Sequence, residues 1–279
     1  MRIDIEAGLK YPKIDMHSHV FYMNNPDAEA ESSDRLVEAG DTLGITEFWS
    51  SAIIAYRNAE IEEVRAVNDT ILRVMKRHPK RIRGMCFIIP SHFRNALDEM
   101  DRCLDEGMVG IKLYHQYTLS DPVQYPVIEK AIARNAPILM HAGKLTPEHH
   151  AGQPLVSYGE HFTELSKRYP EATLIHAHIG GGGDWEWTVR AMRGASPNVH
   201  VDVSGSNLDD GQVEFAVSEL GIQRVLFGTD GTMAGCIGKV LGARISDSDR
   251  SAIFRENAVR LLKRRGLAPL DSICEEVAA

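Results

Sequence analysis

Residue types that bind metal ions recur where short apolar segments of this chain end. The first such segment runs into Asp15-Met16-His17-Ser18-His19. Strand side chains alternate with a period of two, so Asp15, His17 and His19 are expected on one face. Two imidazoles spaced this way can reach a single cation. Later segments carry Lys112 in GIKLY, His141 at the end of PILMHAG, His178 near the end of TLIHAHIGG and Asp230 at the end of VLFGTD. Imidazole and carboxylate together suit Zn²⁺, and also Mn²⁺ or Fe²⁺. A divalent ion lowers the pKa of a water it holds from about 15.7 to roughly 7, and it polarises a carbonyl. A neighbouring carboxylate and histidine can then handle protons near neutrality. One histidine at a strand end is more often a hydrogen-bonded structural residue than a ligand. An ordered series of such residues argues for a shared site.

These residues need a scaffold that brings strand ends together. The apolar segments are residues 13–16, 45–49, 82–89, 109–114, 137–140, 173–177, 199–203 and 225–228. Most are nearly continuous in apolar residues, as parallel strands buried on both faces are. Amphipathic stretches fill most of the gaps. Ile61, Val64, Val67, Ile71 and Met75 recur at helical spacing, with Asn58 as the expected N-cap and Pro79 beyond the end. Ser246 and Asp249 have the spacing of a capping box. Phe254, Ala258, Leu261 and Leu262 then form one apolar stripe, stopped at Gly266. Asp184, after four glycines, is placed to cap the helix that carries Trp185. Strand–helix alternation repeated eight times over 279 residues predicts an α/β fold. The expected architecture is one (β/α)8 TIM barrel, a single domain over residues 1–279. In such barrels the reactive groups stand at the C-terminal strand ends, where this chain carries its metal-binding residue types.

Composition narrows the partners. The formal net charge is −8, and the densest basic cluster, Lys263-Arg264-Arg265, reads as the last turn of a helix. Nucleic acid is therefore not expected. No apolar run approaches the roughly 18 residues of a membrane span. The opening MRIDIEAGLK has no apolar signal region, and the four cysteines form no closely spaced pair. The expectation is a cytoplasmic enzyme for a small molecule, and base rates favour a homodimer.

The pieces IDMHSH, GIKLY, ILMHAG, IHAHIGG and VLFGTD, followed by IFRENAVRLL, cover the chain from about Lys13 to Leu262. In this order they resemble the amidohydrolase superfamily. The closest likeness is to its amidohydrolase-2 branch, which includes aminocarboxymuconate-semialdehyde decarboxylase and related metal-dependent enzymes. The resemblance implies that His17, His19, His141 and Asp230 bind the metal, one ion being favoured over two. It implies that His178 is the acid/base or substrate-polarising histidine beside the metal, and that Asp230 takes a proton from the attacking water in hydrolytic members. Lys112 matches the position at which two-metal members carry a carboxylated bridging lysine. Otherwise it would bind a substrate carboxylate or stay a cation in the pocket. The leading expectation is hydrolysis of an amide, ester or lactone on a zinc site. The alternatives are nonoxidative decarboxylation of a small carboxylic acid and a non-catalytic ligand-binding barrel.

Other residues carry weaker signals. His115, Arg57 and Trp185 follow strands and are candidates to line the substrate pocket, as is Trp49. Asp15 is expected to support the ligands or to be structural, and His176 to lie one layer deeper in the core. His161 falls in a helical pattern and is expected to be structural. His149 and His150 sit in a polar loop and are expected at the surface. The glycine run at 180–183 lacks the Lys-Ser/Thr of a phosphate loop.

Overall fold

In the computed structural model the described residues are 5–143, 152–179 and 184–272. All eight expected segments form strands: β1 (Lys13–His19), β2 (Ile45–Ser51), β3 (Ile82–Phe87), β4 (Gly110–Leu113), β5 (Ile138–Met140), β6 (Leu174–His176), β7 (Val199–Asp202) and β8 (Val225–Leu226). They pair in sequence order, every pair parallel. The ring is drawn together where β8 leads back to β1. Met16 N donates to Phe227 O at 3.1 Å, and Asp230 N donates to His17 O at 2.7 Å. The result is a nearly closed (β/α)8 barrel.

Helices separate the strands: α1 (Ile5–Leu9), α2 (Pro26–Leu43), α3 (Ile61–Arg77), α4 (Arg94–Asp105), α5 (Tyr125–Ala133), α6 (Gly159–Arg168), α7 (Trp185–Ala191), α8 (Gln212–Leu220), α9 (Met233–Gly242), α10 (Asp247–Ser251) and α11 (Asn257–Arg264). The N-cap of α3 is Glu60, which makes a reciprocal capping box with Glu63. Asn58 lies outside the helix, because two acidic side chains satisfy the first-turn N–H groups in its place. Ser246 and Asp249 do form the expected capping box. Gly266 follows α11 in the left-handed conformation, φ 73°. No helix among the described residues is long and apolar enough to cross a membrane. His149, His150, the glycine run at 180–183 and Cys274 lie outside the described residues.

Two apolar clusters hold the fold. One fills the barrel with Ile14, Met16, Trp49, Met85, Leu139 and Ile175 among others, closed at one end by Ala258, Leu261 and Leu262 of α11. The larger one lies between the strands and the surrounding helices. Trp49 belongs to the inner cluster and is fully buried, so it does not wall a pocket. Its indole donates to Glu47 at 2.9 Å, and Glu47 also accepts from Arg83 and from the amide of Leu270. That buried carboxylate fastens the C-terminal segment to the barrel.

Candidate active site

The end of β1 departs from simple alternation. Ile14 and Met16 both point into the barrel, which would send His17 outward. The register against β2 is irregular between Asp15 and Ser18. The extra residue there turns His17 back into the mouth of the barrel. Its ring is fully buried and fixed from behind. Nδ1 lies 2.8 Å from Asp202 Oδ2, so Nε2 is left facing the mouth. His19 is held in the same way, with Nδ1 3.1 Å from the carbonyl of Ser51. Fixing one imidazole nitrogen to an acceptor is what presents the other nitrogen's lone pair to a metal.

Asp230 arrives from beyond β8. One of its oxygens stands 3.1 Å from His19 Nε2 and 3.7 Å from His17 Nε2. Its backbone is left-handed, φ 48°, as is that of His178, φ 61°. Such strain outside glycine clusters at functional sites. Burial pushes the Asp230 acid upward. The hydrogen bond from His19 and the nearby His17 and His178 outweigh it and hold the carboxyl well below its ordinary range. His17, His19 and Asp230 thus present three ligand atoms within 4.8 Å of one another. Two rear-anchored imidazoles and an ionised carboxylate converging on one point fit a divalent cation.

His178 occupies the other side of the mouth. Its Nδ1 lies 2.9 Å from Ser204 Oγ and its Nε2 lies 3.2 Å from His141 Nδ1. The backbone N–H of His178 donates to Asp202 at 2.9 Å, and the Ser204 hydroxyl donates to the same carboxylate oxygen. Burial, helped by the charge of His17, lowers the His178 pKa to about 3, which makes the ring neutral at physiological pH. His141 is the one expected ligand not gathered with His17, His19 and Asp230. Its Nε2 meets Gln153 at 2.9 Å while its other nitrogen faces His178. A second group of possible ligand atoms comprises His17, His178 and Asp202.

Lys112 is fully buried, with Nζ 3.0 Å from His17 Nε2. Burial lowers its pKa to about 8, against the opposing pull of Asp230 and Asp202. His115 lies at the rim, its ring 4.4 Å from Tyr114, which in turn lies 4.4 Å from His141. Arg57 is exposed and stacks over Tyr117 at 4.3 Å, so it pairs with the protein's own aromatic surface. Trp185 packs edge-on against Phe215 of α8 and donates to Asp209.

Asp15 does not hold His17 from behind. It accepts from the amide and hydroxyl of Thr229 and from the amide of His17, joining the ends of β1 and β8. Burial raises its pKa to about 7. Sequence reasoning missed Asp202, which does hold His17, although it ends β7 as Asp230 follows β8. It also missed Ser51, Ser204 and Gln153, whose hydroxyls, amide and carbonyl carry no signal of their own. His176 is core, packed on Phe162 of α6. His161 accepts from the amide of Tyr158 at the start of the same helix.

Comparison with known proteins identifies the family of the chain. The family model described as Amidohydrolase matches residues 14–264. A curated relative, 2-amino-3-carboxymuconate-6-semialdehyde decarboxylase of Dictyostelium discoideum, is 24% identical over 198 residues. That match takes in 59% of this chain and 55% of the relative, so it spans about half the relative's length. Among solved structures, 5-carboxyvanillate decarboxylase from Sphingomonas paucimobilis superposes with a TM-score of 0.71 at 17% identity, over 91% of this chain and 99% of that one. A dihydroxybenzoic acid decarboxylase from Polaromonas sp. JS666, with bound manganese and 2-nitroresorcinol, gives 0.68 at 20% identity, over 90% and 97%. At such identities these two matches speak for the fold alone. The family match spans nearly the whole barrel and every strand end described above, and by it this chain belongs to the amidohydrolase family, in its amidohydrolase-2 branch.

Proposed function

We propose that this chain catalyses the metal-dependent, nonoxidative decarboxylation of a small carboxylic acid. The observation that carries the reading is Lys112. A fully buried ammonium stands beside the metal-ligand cluster, and no described carboxylate pairs with it directly. An ammonium with no carboxylate in direct contact is costly in a low-dielectric site unless an anion arrives to meet it. A substrate carboxylate is such an anion, and the curated relative is named as a decarboxylase. Hydrolysis of a neutral amide or ester would leave the ammonium without a role.

His17, His19, His141 and Asp230 would hold the ion, with His141 turning from Gln153 to join the other three. Zinc and manganese both suit this donor set. When bound, the ion supplies a Lewis acid that draws electron density from the reacting carbon's substituents. Lys112 orients the departing carboxylate. As the carbon–carboxylate bond breaks, CO₂ leaves and the electron pair stays on carbon, which then takes a proton. His178 would relay a proton from water to that carbon through Nε2, with its Nδ1–H held by Ser204. Asp202 keeps both His17 and the His178 backbone in place.

The test is product analysis. The manganese- or zinc-reconstituted protein is offered 5-carboxyvanillate, dihydroxybenzoates and 2-amino-3-carboxymuconate semialdehyde. Released CO₂ and uptake of one deuteron from heavy water at the vacated carbon support the reading. A hydrolysed amide, ester or lactone, with no CO₂ from any acid, overturns it. Lys112→Met should cut turnover at least about a hundredfold while the protein still folds, because a buried charge can often be replaced by a hydrophobe of similar volume. A second reading, hydrolysis on two ions bridged by a carboxylated Lys112, draws on the amine's lowered pKa. It requires two metals per chain and a lysine heavier by one CO₂.

A further inference from the structure

A cavity of about 340 Å³ opens beside the candidate metal ligands. His19 and Asp230 form one wall, and Val20, Phe21, Tyr22, Leu36 and Ile53 supply the rest, with Gly231 at the edge. The cavity therefore shares two side chains with the ligand cluster while its remaining lining is hydrocarbon apart from the Tyr22 hydroxyl. Its size is at the lower end for small-ligand sites. Phe21, in the loop after β1, is 71% exposed, a large apolar surface left in water at the cavity's edge. Leu36, from α2, is almost wholly buried.

We infer that this cavity is the subsite for the non-reacting part of the substrate, and that it takes an apolar group about the size of one ring. The inference rests on the decarboxylase reading, in which Lys112 meets the carboxylate itself. It adds which substituents are accepted. A hydrocarbon ring or branched alkyl group gains by leaving water there. A second carboxylate would enter without a cationic partner among the lining side chains and would lie near the Asp230 carboxylate, so it is rejected. Phe21 and Ile53 are then the specificity-determining residues, covering the group once it is seated.

The experiment compares ligands that differ only in this part. Benzoate, acetate and terephthalate are titrated by calorimetry into the manganese-reconstituted protein. The uncharged probe benzyl alcohol is followed by saturation-transfer NMR. Benzoate should bind at least about tenfold more tightly than acetate, and terephthalate at least about tenfold more weakly than benzoate. Ile53→Trp, which fills the cavity, should collapse the benzoate-to-acetate ratio. Phe21→Ala, at an exposed loop position, should lower it several-fold and serves if Ile53→Trp does not fold. A ratio unchanged in both variants overturns the subsite, whatever the reaction proves to be. Loss of benzyl alcohol binding in Ile53→Trp, in a protein that releases no CO₂ from any acid, upholds the subsite and removes the decarboxylase reading alone.

Discussion

His17 Nδ1 and Asp202 Oδ2 meet at 2.8 Å, wholly shielded from water, although 185 positions of chain separate them. The pair joins β1 to β7 across the barrel mouth and decides which nitrogen of His17 faces a metal. Burial favours the neutral acid of Asp202. The charge and hydrogen bond of His17, then His178 and Ser204, overcome that and hold its carboxyl well below the ordinary range. Asp202→Asn can still accept from His17, but it loses the charge. Its amide nitrogen must also displace one of the donors from His178 and Ser204. Metal affinity should fall about 10–100-fold. Competition with a chelator of known affinity measures it, and an unaltered affinity would count against Asp202 as the orienting group.

A different outcome is expected at Asp230. Its left-handed backbone, φ 48°, is a conformation that Asn shares with Asp and that other side chains adopt with strain. Asp230→Asn therefore removes the charge while leaving the backbone at ease, whereas Asp230→Ala does both harms. Asn should abolish detectable turnover and stoichiometric metal binding with a melting temperature close to wild type. Ala should lose the same activity and about 1 kcal/mol of stability besides. Metal analysis paired with thermal unfolding separates them, and full activity in Asp230→Asn would remove Asp230 from the site.

Much of this arrangement was legible before any coordinates. Buried parallel strands must be apolar on both faces, so eight apolar segments announced the barrel, including β8, of which only Val225–Leu226 is regular strand. His17, His19, Lys112, His178 and Asp230 stand together at its mouth as their places at strand ends implied. Strict alternation gave the right pair in β1 for an incomplete reason, since it needed the irregularity after Asp15 to put His17 inside. Asp202 obeys the same strand-end rule and follows His200 by two residues in VHVD, so the sequence held a signal for it. Arg57 and Trp185 were chosen for their position after strands. Their side chains are long enough to find partners within the protein, and only tertiary packing determines which way they turn.

Away from the mouth, a buried polar knot should set the acid limit of stability. Glu99 of α4 accepts from Asn68 at 2.9 Å and takes both oxygens to Arg102, at 2.7 and 2.8 Å. Burial raises its acid, but Arg102 and then Asn68 pull further the other way, and the net shift is downward. A carboxylate with a depressed folded-state pKa adds stability above its unfolded value of about 4.3, and that stability drains as pH falls through the folded value. Glu99→Gln should lose about 1–3 kcal/mol at pH 7 and show a flatter decline below about pH 4. Urea unfolding across that range tests it. A parallel decline in both proteins would show that Glu99 does not contribute to the acid limb.

The tightest constraint on the site falls on a residue with no side chain. A Cβ at Gly228 would stand 2.8 Å from His17 Cβ and 3.3 Å from the Asp202 carboxyl carbon. Neither neighbour can yield cheaply. His17 Cβ is rooted in β1, and Asp202 is fixed by its bonds to His17, His178 and Ser204. Gly228→Ala must therefore push β1 and β8 apart at the mouth or turn the His17 ring off its anchor. Overpacking of this kind costs about 1–3 kcal/mol, which a barrel of this size should survive. A ligand displaced by even part of an ångström loses its place in the cluster, so metal affinity should drop at least about tenfold. Chelator competition and thermal unfolding on the same sample decide the matter. A protein destabilised as expected but binding metal as tightly as wild type would mean that displacing His17 does not matter to the ion, and the ligand role given to its Nε2 would fail.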